Sequence, residues 1–74
     1  VSKTCSGKKL VAILLREYGF SLVGQKGSHV KLRGSLEDTV RITIVPLHSE
    51  LAMGTLKSAL ALAGIEYKDL LRYL

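Results

Sequence analysis

Two histidines occur in the chain, and His29 sits where its chemistry can be used. It follows Gly27-Ser28 and heads the run His29-Val30-Lys31-Leu32-Arg33. In an extended segment, residues two and four positions on share a face with the first, so Lys31 and Arg33 stand beside the imidazole. An imidazole titrates near pH 6.5 and can accept and return a proton around neutrality. A proton-transfer group flanked by cations suits a phosphodiester substrate. In RNA, removing the 2′-hydroxyl proton lets that oxygen attack the adjacent phosphorus, while cations stabilise the phosphoryl oxygens. The reaction needs no metal, and DNA lacks the hydroxyl. The plainer reading is a polar residue on the outer face of a small sheet, and the run by itself is compatible with both.

Other chemistries are poorly supported. Ser28 adjoins His29, but neighbours in a strand point apart, which argues against a serine nucleophile. His29 and His48 lack the spacing of a metal pair, and Cys5 is the sole cysteine, which excludes a disulfide framework and a paired-cysteine zinc site. Ser6-Gly7-Lys8-Lys9 lacks the remaining residues of a phosphate-binding loop. The acidic residues, Glu37 and Asp38 among them, show no paired arrangement aimed at the histidine.

The elements that must position His29 follow from periodicity. Residues 6–18 read as a helix capped by Ser6, with Leu10, Val11, Leu14, Leu15 and Tyr18 on one stripe and Gly19 as its stop. Lys8 and Lys9 fall in its first turn, where the helix dipole favours anions, so bound phosphate or plain solvation must account for them. Three strands are expected: Phe20 to Gln25, His29 to Arg33 and Thr39 to Val45. Lys26-Gly27-Ser28 reads as a three-residue hairpin loop and Gly34 to Asp38 as a longer one. With Gln25 opposite His29 and Arg33 opposite Thr39, Leu22 faces Leu32, Val23 faces Lys31, and Val30 faces Ile42. Val40, Ile42 and Ile44 then point to the core. Lys31 lies opposite Arg41, and His29 lies near Gln25 and Thr43. After Pro46, a helix is expected near Thr55 as its cap, with Leu56, Leu60 and Ala63 inward and Gly64 as its end. A last short helix packs through Leu70 and Leu71. The order α-β-β-β-α-α describes an α+β domain of two layers, one face of the sheet covered by helices and the other open.

Composition sets the class of partner. Seventy-four residues fit one domain, and with 47% hydrophobic residues and a single proline the chain should fold. A core this small leaves little room for a buried cofactor. Eleven lysines and arginines against six acids give a net charge of +5, which favours phosphate polymers or an acidic protein surface. No apolar run approaches the ~20 residues of a membrane span, and the polar start does not resemble a secretory signal. A cytoplasmic location is the expectation.

The segments SGKKLVAILLREYGF, QKGSHVKLR, VPLH and GTLKSALALAG, in this order and spacing, resemble the HicA family of small toxins of type II toxin–antitoxin systems. The resemblance covers nearly the whole length. It implies a double-stranded-RNA-binding-domain-like fold and metal-independent mRNA cleavage that arrests translation. It assigns the catalytic role to His29 and implies a HicB-type antitoxin that covers the active face. Neither a small-molecule cofactor nor a membrane is expected, given the small core and the short apolar runs. Three departures stand out. Gly24 occupies a position that is basic in many relatives, the second hairpin is longer than in the shortest members, and Lys9 replaces an acid of the helix start. His48 also fits the family pattern, but a loop side chain capping backbone groups is its expected role.

The candidate RNA contacts are Gln25, Lys26, Ser28, Lys31, Arg33 and Arg41. Two other readings compete with the nuclease. One is a non-catalytic module that binds structured RNA by shape, and the other is a basic domain that docks an acidic protein.

Overall fold

A computed structural model describes residues 3–74; Val1 and Ser2, at the polar start of the chain, lie outside the described residues. Helix α1 spans Gly7–Glu17, strands β1, β2 and β3 span Ser21–Lys26, His29–Leu36 and Thr39–Pro46, and helix α2 spans Met53–Ala63. A short helix α3, Tyr67–Leu70, runs into a 3-10 turn at Leu71–Tyr73. The strands form one antiparallel sheet in the order β1-β2-β3. This is the α+β arrangement expected, and a double-stranded-RNA-binding-domain-like fold is consistent with it.

The helices lie on one face. Val30, Leu32 and Val45 of the sheet join Leu10, Ile13 and Leu14 of α1 and Leu56, Ala59, Leu60 and Ala63 of α2 in one buried cluster. Ser6 caps α1 as expected, its hydroxyl accepting from the Lys9 amide at 3.0 Å, and Gly19 follows the helix at φ +70°. The buried stripe of α1 differs slightly from the sequence reading: Ile13 is in the core, while Val11, Leu15 and Tyr18 are only partly covered. Helix α2 begins two residues before Thr55, with Ala52 at its cap and no side-chain cap bond, and it ends on Gly64 at φ +75°. Leu70 is buried, but Leu71 turns out to solvent, because the last turn tightens to 3-10.

The second hairpin corrects the expected register. Gly34, Ser35 and Leu36 do not loop out; they continue β2, and the chain reverses on Glu37 and Asp38 alone, at φ 52° and 63°. Two successive positive φ angles make a type I′ turn, which matches the twist of the strands it joins. Leu36 therefore faces Thr39, Leu32 faces Thr43, Lys31 faces Ile44 and Arg33 faces Ile42. The shift is by an odd number of residues, so every side chain of β3 changes face. Thr43 and Val45 are buried, and Val40, Ile42 and Ile44 lie on the open face at 53, 45 and 47% exposure. The buried Thr43 hydroxyl donates to the Ala59 carbonyl at 2.7 Å, tying the sheet to α2.

The first hairpin is corrected in the same manner, though only near its turn. Leu22 faces Leu32 as expected, but a bulge at Val23 then sets Gly24 opposite Lys31, Gln25 opposite Val30 and Lys26 opposite His29. The turn is two residues, Gly27-Ser28, with Gly27 at φ +58°.

Candidate active site

His29 heads the central strand, with Lys26 beside it on β1 and Pro46 beside it on β3. Lys31 and Arg33 follow it on the same exposed face. Cross-strand neighbours sit about 5 Å apart at Cβ, so the Lys26 and His29 side chains leave the sheet together. A shallow depression of about 420 Å³ opens here, lined by Val23, Gly24, Gln25, Lys26, His29, Lys31 and Ile44. The bulge at Val23 shapes it by turning an additional residue towards the open side, a common device beside functional sites.

The electrostatics of this face are one-sided. The ion pairs among the described residues are Lys68–Glu66 at 3.6 Å and Arg72–Asp69 at 3.8 Å, both in the C-terminal segment. Lys26, Lys31 and Arg33 thus stand without carboxylate partners among the described residues. The nearest acids along β2 and β3 are Glu37 and Asp38, in the turn at the far end of the hairpin from His29. At ~3.3 Å per residue that end is about 25 Å away, beyond the ~8 Å screening length of physiological salt. The sheet face around His29 therefore carries positive charge, and the acid that follows Pro46 on the chain is Glu50, in the loop beyond β3.

The predicted contacts divide into two groups. Lys26, Lys31 and Arg33 share the open face with His29, and Ser28 stands in the turn that presents it. Gln25 lies on the edge strand, where its amide donates to the Gly27 carbonyl at 3.0 Å and braces the turn. Arg41 does not belong with them. It pairs with Gly34, not Lys31, and its side chain runs under the sheet to the end of α2. There its Nε is buried without a hydrogen-bond partner, against Gly64. Its charge complements the carbonyl end of a helix that has no basic residue in its last turn, which gives it a structural role. Thr43, likewise, is a core residue and not a neighbour of the His29 ring.

His48 is exposed, and it is its main-chain carbonyl, not its ring, that caps the start of α1 by accepting from the Gly7 amide at 2.9 Å. Cys5 is buried, and burial pushes its thiol above the ordinary range, with Lys9 acting in the opposite sense. That protonated, covered thiol is a poor nucleophile. Among the described residues, no three His, Cys, Asp or Glu side chains gather where they could hold a metal ion. None of the helices there is long and apolar enough to cross a membrane.

What sequence reasoning missed is the apolar half of the face. Val23, Val40, Ile42 and Ile44 form an exposed aliphatic strip beside the cations. The missing signal was the two-residue turn: Glu37-Asp38 carries no glycine, so the composition of Gly34 to Asp38 suggests a longer loop.

A family model described as HicA toxin of bacterial toxin-antitoxin matches residues 7–65 of the chain. No curated protein and no solved structure matches it.

Proposed function

The chain belongs to the HicA family of toxins of bacterial toxin–antitoxin systems, and from that premise we propose that it is an endoribonuclease that cleaves mRNA, with His29 as the general base. The observation that carries this reading is the convergence of His29, Lys26 and Lys31 on one open depression free of carboxylates. The imidazole takes the proton of a 2′-hydroxyl as that oxygen bonds to the adjacent phosphorus. The bond from phosphorus to the 5′-oxygen breaks, and the leaving oxygen takes a proton from a lysine ammonium of the depression or from water. The products are a 2′,3′-cyclic phosphate and a 5′-hydroxyl end. Lys26, Lys31 and Arg33 hold the phosphates, with Ser28 and Gln25 shaping the turn that aims His29. The chemistry needs no metal. The test is cleavage of a long single-stranded RNA in excess EDTA, with DNA of the same sequence beside it: RNA alone is cut. Loss of activity in EDTA, or cutting of DNA, would falsify the mechanism.

A toxin of this family has an antitoxin partner, and for this chain that partner is a HicB-type protein met in the cytoplasm. The strip Val40, Ile42 and Ile44, exposed beside a basic rim, supplies an apolar anchor and charge for an acidic cover. Ile42→Asp places a carboxylate in that anchor while leaving the core untouched. It is expected to weaken binding of the antitoxin encoded with this chain by tenfold or more in calorimetric titration, with the melting temperature lowered by only about 4–8 °C, the cost of an aspartate in an exposed strand position. Equal binding would move the interface elsewhere.

A further inference from the structure

Gly24 lies inside a strand, where glycine weakens the pairing, so it needs a reason. Gly27 is required by its turn, and Gly34 by the Phe20 ring, which stands 2.6 Å from where a Cβ would be. Neither reason holds for Gly24. Its φ lies outside the left-handed region, so the bulge does not demand glycine, and a Cβ there would meet nothing within 4 Å. The backbone and the packing would both accept a side chain.

The open space that a side chain would enter is the depression beside His29. Gly24 faces Lys31 across the strands and lines that depression together with Val23, Lys26, His29 and Ile44. Strand glycines mark bulges or places where another group approaches the backbone, and at Gly24, which follows the bulge without a positive φ, the open space beside His29 favours the second. The chemistry of the walls specifies that group. Val23 and Ile44 offer aliphatic surface, Lys26 and Lys31 offer positive charge without a carboxylate partner among the described residues, and no carboxylate of those residues lines the space.

We propose that the gap at Gly24 is a nucleotide subsite, which seats the ribonucleotide on the 5′ side of the scissile bond with its base and ribose over the Gly24 backbone, between Val23 and Ile44, and its 3′-phosphate at Lys26 and Lys31. The proposal rests on the ribonuclease reading above. It makes Gly24 a positioning residue, which admits the nucleotide whose 2′-hydroxyl His29 must reach.

The test compares wild type with Gly24→Val and Gly24→Ala, using ribonucleoside 3′-monophosphates and inorganic phosphate as probes in titrations followed by amide NMR. Wild type is expected to show saturable shifts at Val23, Gly24, Lys31 and Ile44 with the nucleotides. Gly24→Val should bind them at least tenfold more weakly, Gly24→Ala should fall between, and neither should bind inorganic phosphate differently. Valine favours strands over glycine, so the melting temperature should hold or rise, which separates a blocked site from a damaged fold. Equal nucleotide binding by all three proteins overturns the proposal, as does wild-type binding of inorganic phosphate as tight as that of the nucleotides. RNA cleavage separates this inference from its premise. Equal cleavage by wild type and Gly24→Val sinks the subsite and leaves the nuclease standing. Nucleotide binding that is lost in Gly24→Val, in a wild type that cuts no RNA, keeps the subsite and sinks the nuclease.

Discussion

Replacing His29 with alanine is expected to lower the rate of RNA cleavage by about 10²- to 10⁴-fold, the range general acid–base groups contribute. The fold should not notice. His29 is exposed at the head of β2, on the face away from the buried cluster. Truncating such a side chain changes stability by no more than about 0.5 kcal/mol. RNA affinity should also persist, because Lys26, Lys31 and Arg33 carry the charge that holds phosphates and all three remain. The signature is therefore a fall in kcat with little change in binding. A parallel loss of affinity and rate would make His29 a binding residue. No loss of either would favour the non-catalytic RNA-binding module.

A second large effect concerns the platform under the site. Gly7 opens α1 in contact with the end of β3, and a Cβ there would lie 1.9 Å from the Pro46 carbonyl oxygen and 2.9 Å from the Leu47 Cα. Both are main-chain atoms and cannot rotate aside. Gly7→Ala must lift the helix start from the strand and lengthen the bond from the Gly7 amide to the His48 carbonyl. Overpacking of this kind costs about 1–3 kcal/mol and a spoiled hydrogen bond about 1 more, together about 2–4 kcal/mol. In a domain of this size that lowers the melting temperature by about 10–25 °C. Pro46 is the cross-strand neighbour of His29, so the folded fraction should cleave RNA more slowly as well. Thermal denaturation monitored by circular dichroism measures the first effect. A shift of less than 2 °C would show that the close approach of α1 to β3 has been misjudged.

The two glycines make a useful contrast. Gly7 is there because backbone meets backbone, and its substitution damages the fold. Gly24 meets nothing, and its substitution should spare the fold and damage the chemistry. The distinction is invisible in the sequence, where both are glycines near lysines.

Much of the architecture was legible because local signals agreed with the packing. Ser6 and Gly19 bracket α1, Gly64 ends α2, and the alternation of His29 to Arg33 sets His29, Lys31 and Arg33 on one face. That alternation is also why the exposed face of the strand carrying His29 could be read, although its continuation to Leu36 could not. The face of β3 could not be, since Val40, Ile42 and Ile44 form the better hydrophobic series and Arg41, Thr43 and Val45 the one that turns inward. Periodicity fixes which residues share a face but not which face is covered. Here the turn decides, and Glu37-Asp38 adopts a geometry usually given to glycine or asparagine. One turn of the wrong length moved Arg41 to the open face and hid the aliphatic strip. The bulge at Val23 was equally silent, because an added residue on an edge strand alters no pattern long enough to detect. It nevertheless makes Lys26, not Gln25, the neighbour of the histidine.

The most direct test of the central claim is the chemistry of the cut ends. Wild type and His29→Ala would be incubated in EDTA with an RNA carrying a single 2′-deoxy substitution at a mapped cleavage position, and with its all-ribose counterpart. Products would be analysed by mass spectrometry. We predict a 2′,3′-cyclic phosphate and a 5′-hydroxyl from wild type on the all-ribose strand, no cut at the deoxy position, and no cut by His29→Ala on the same timescale. Cleavage at the deoxy position, or equal cleavage by the variant, would contradict attack by the 2′-hydroxyl under the control of His29.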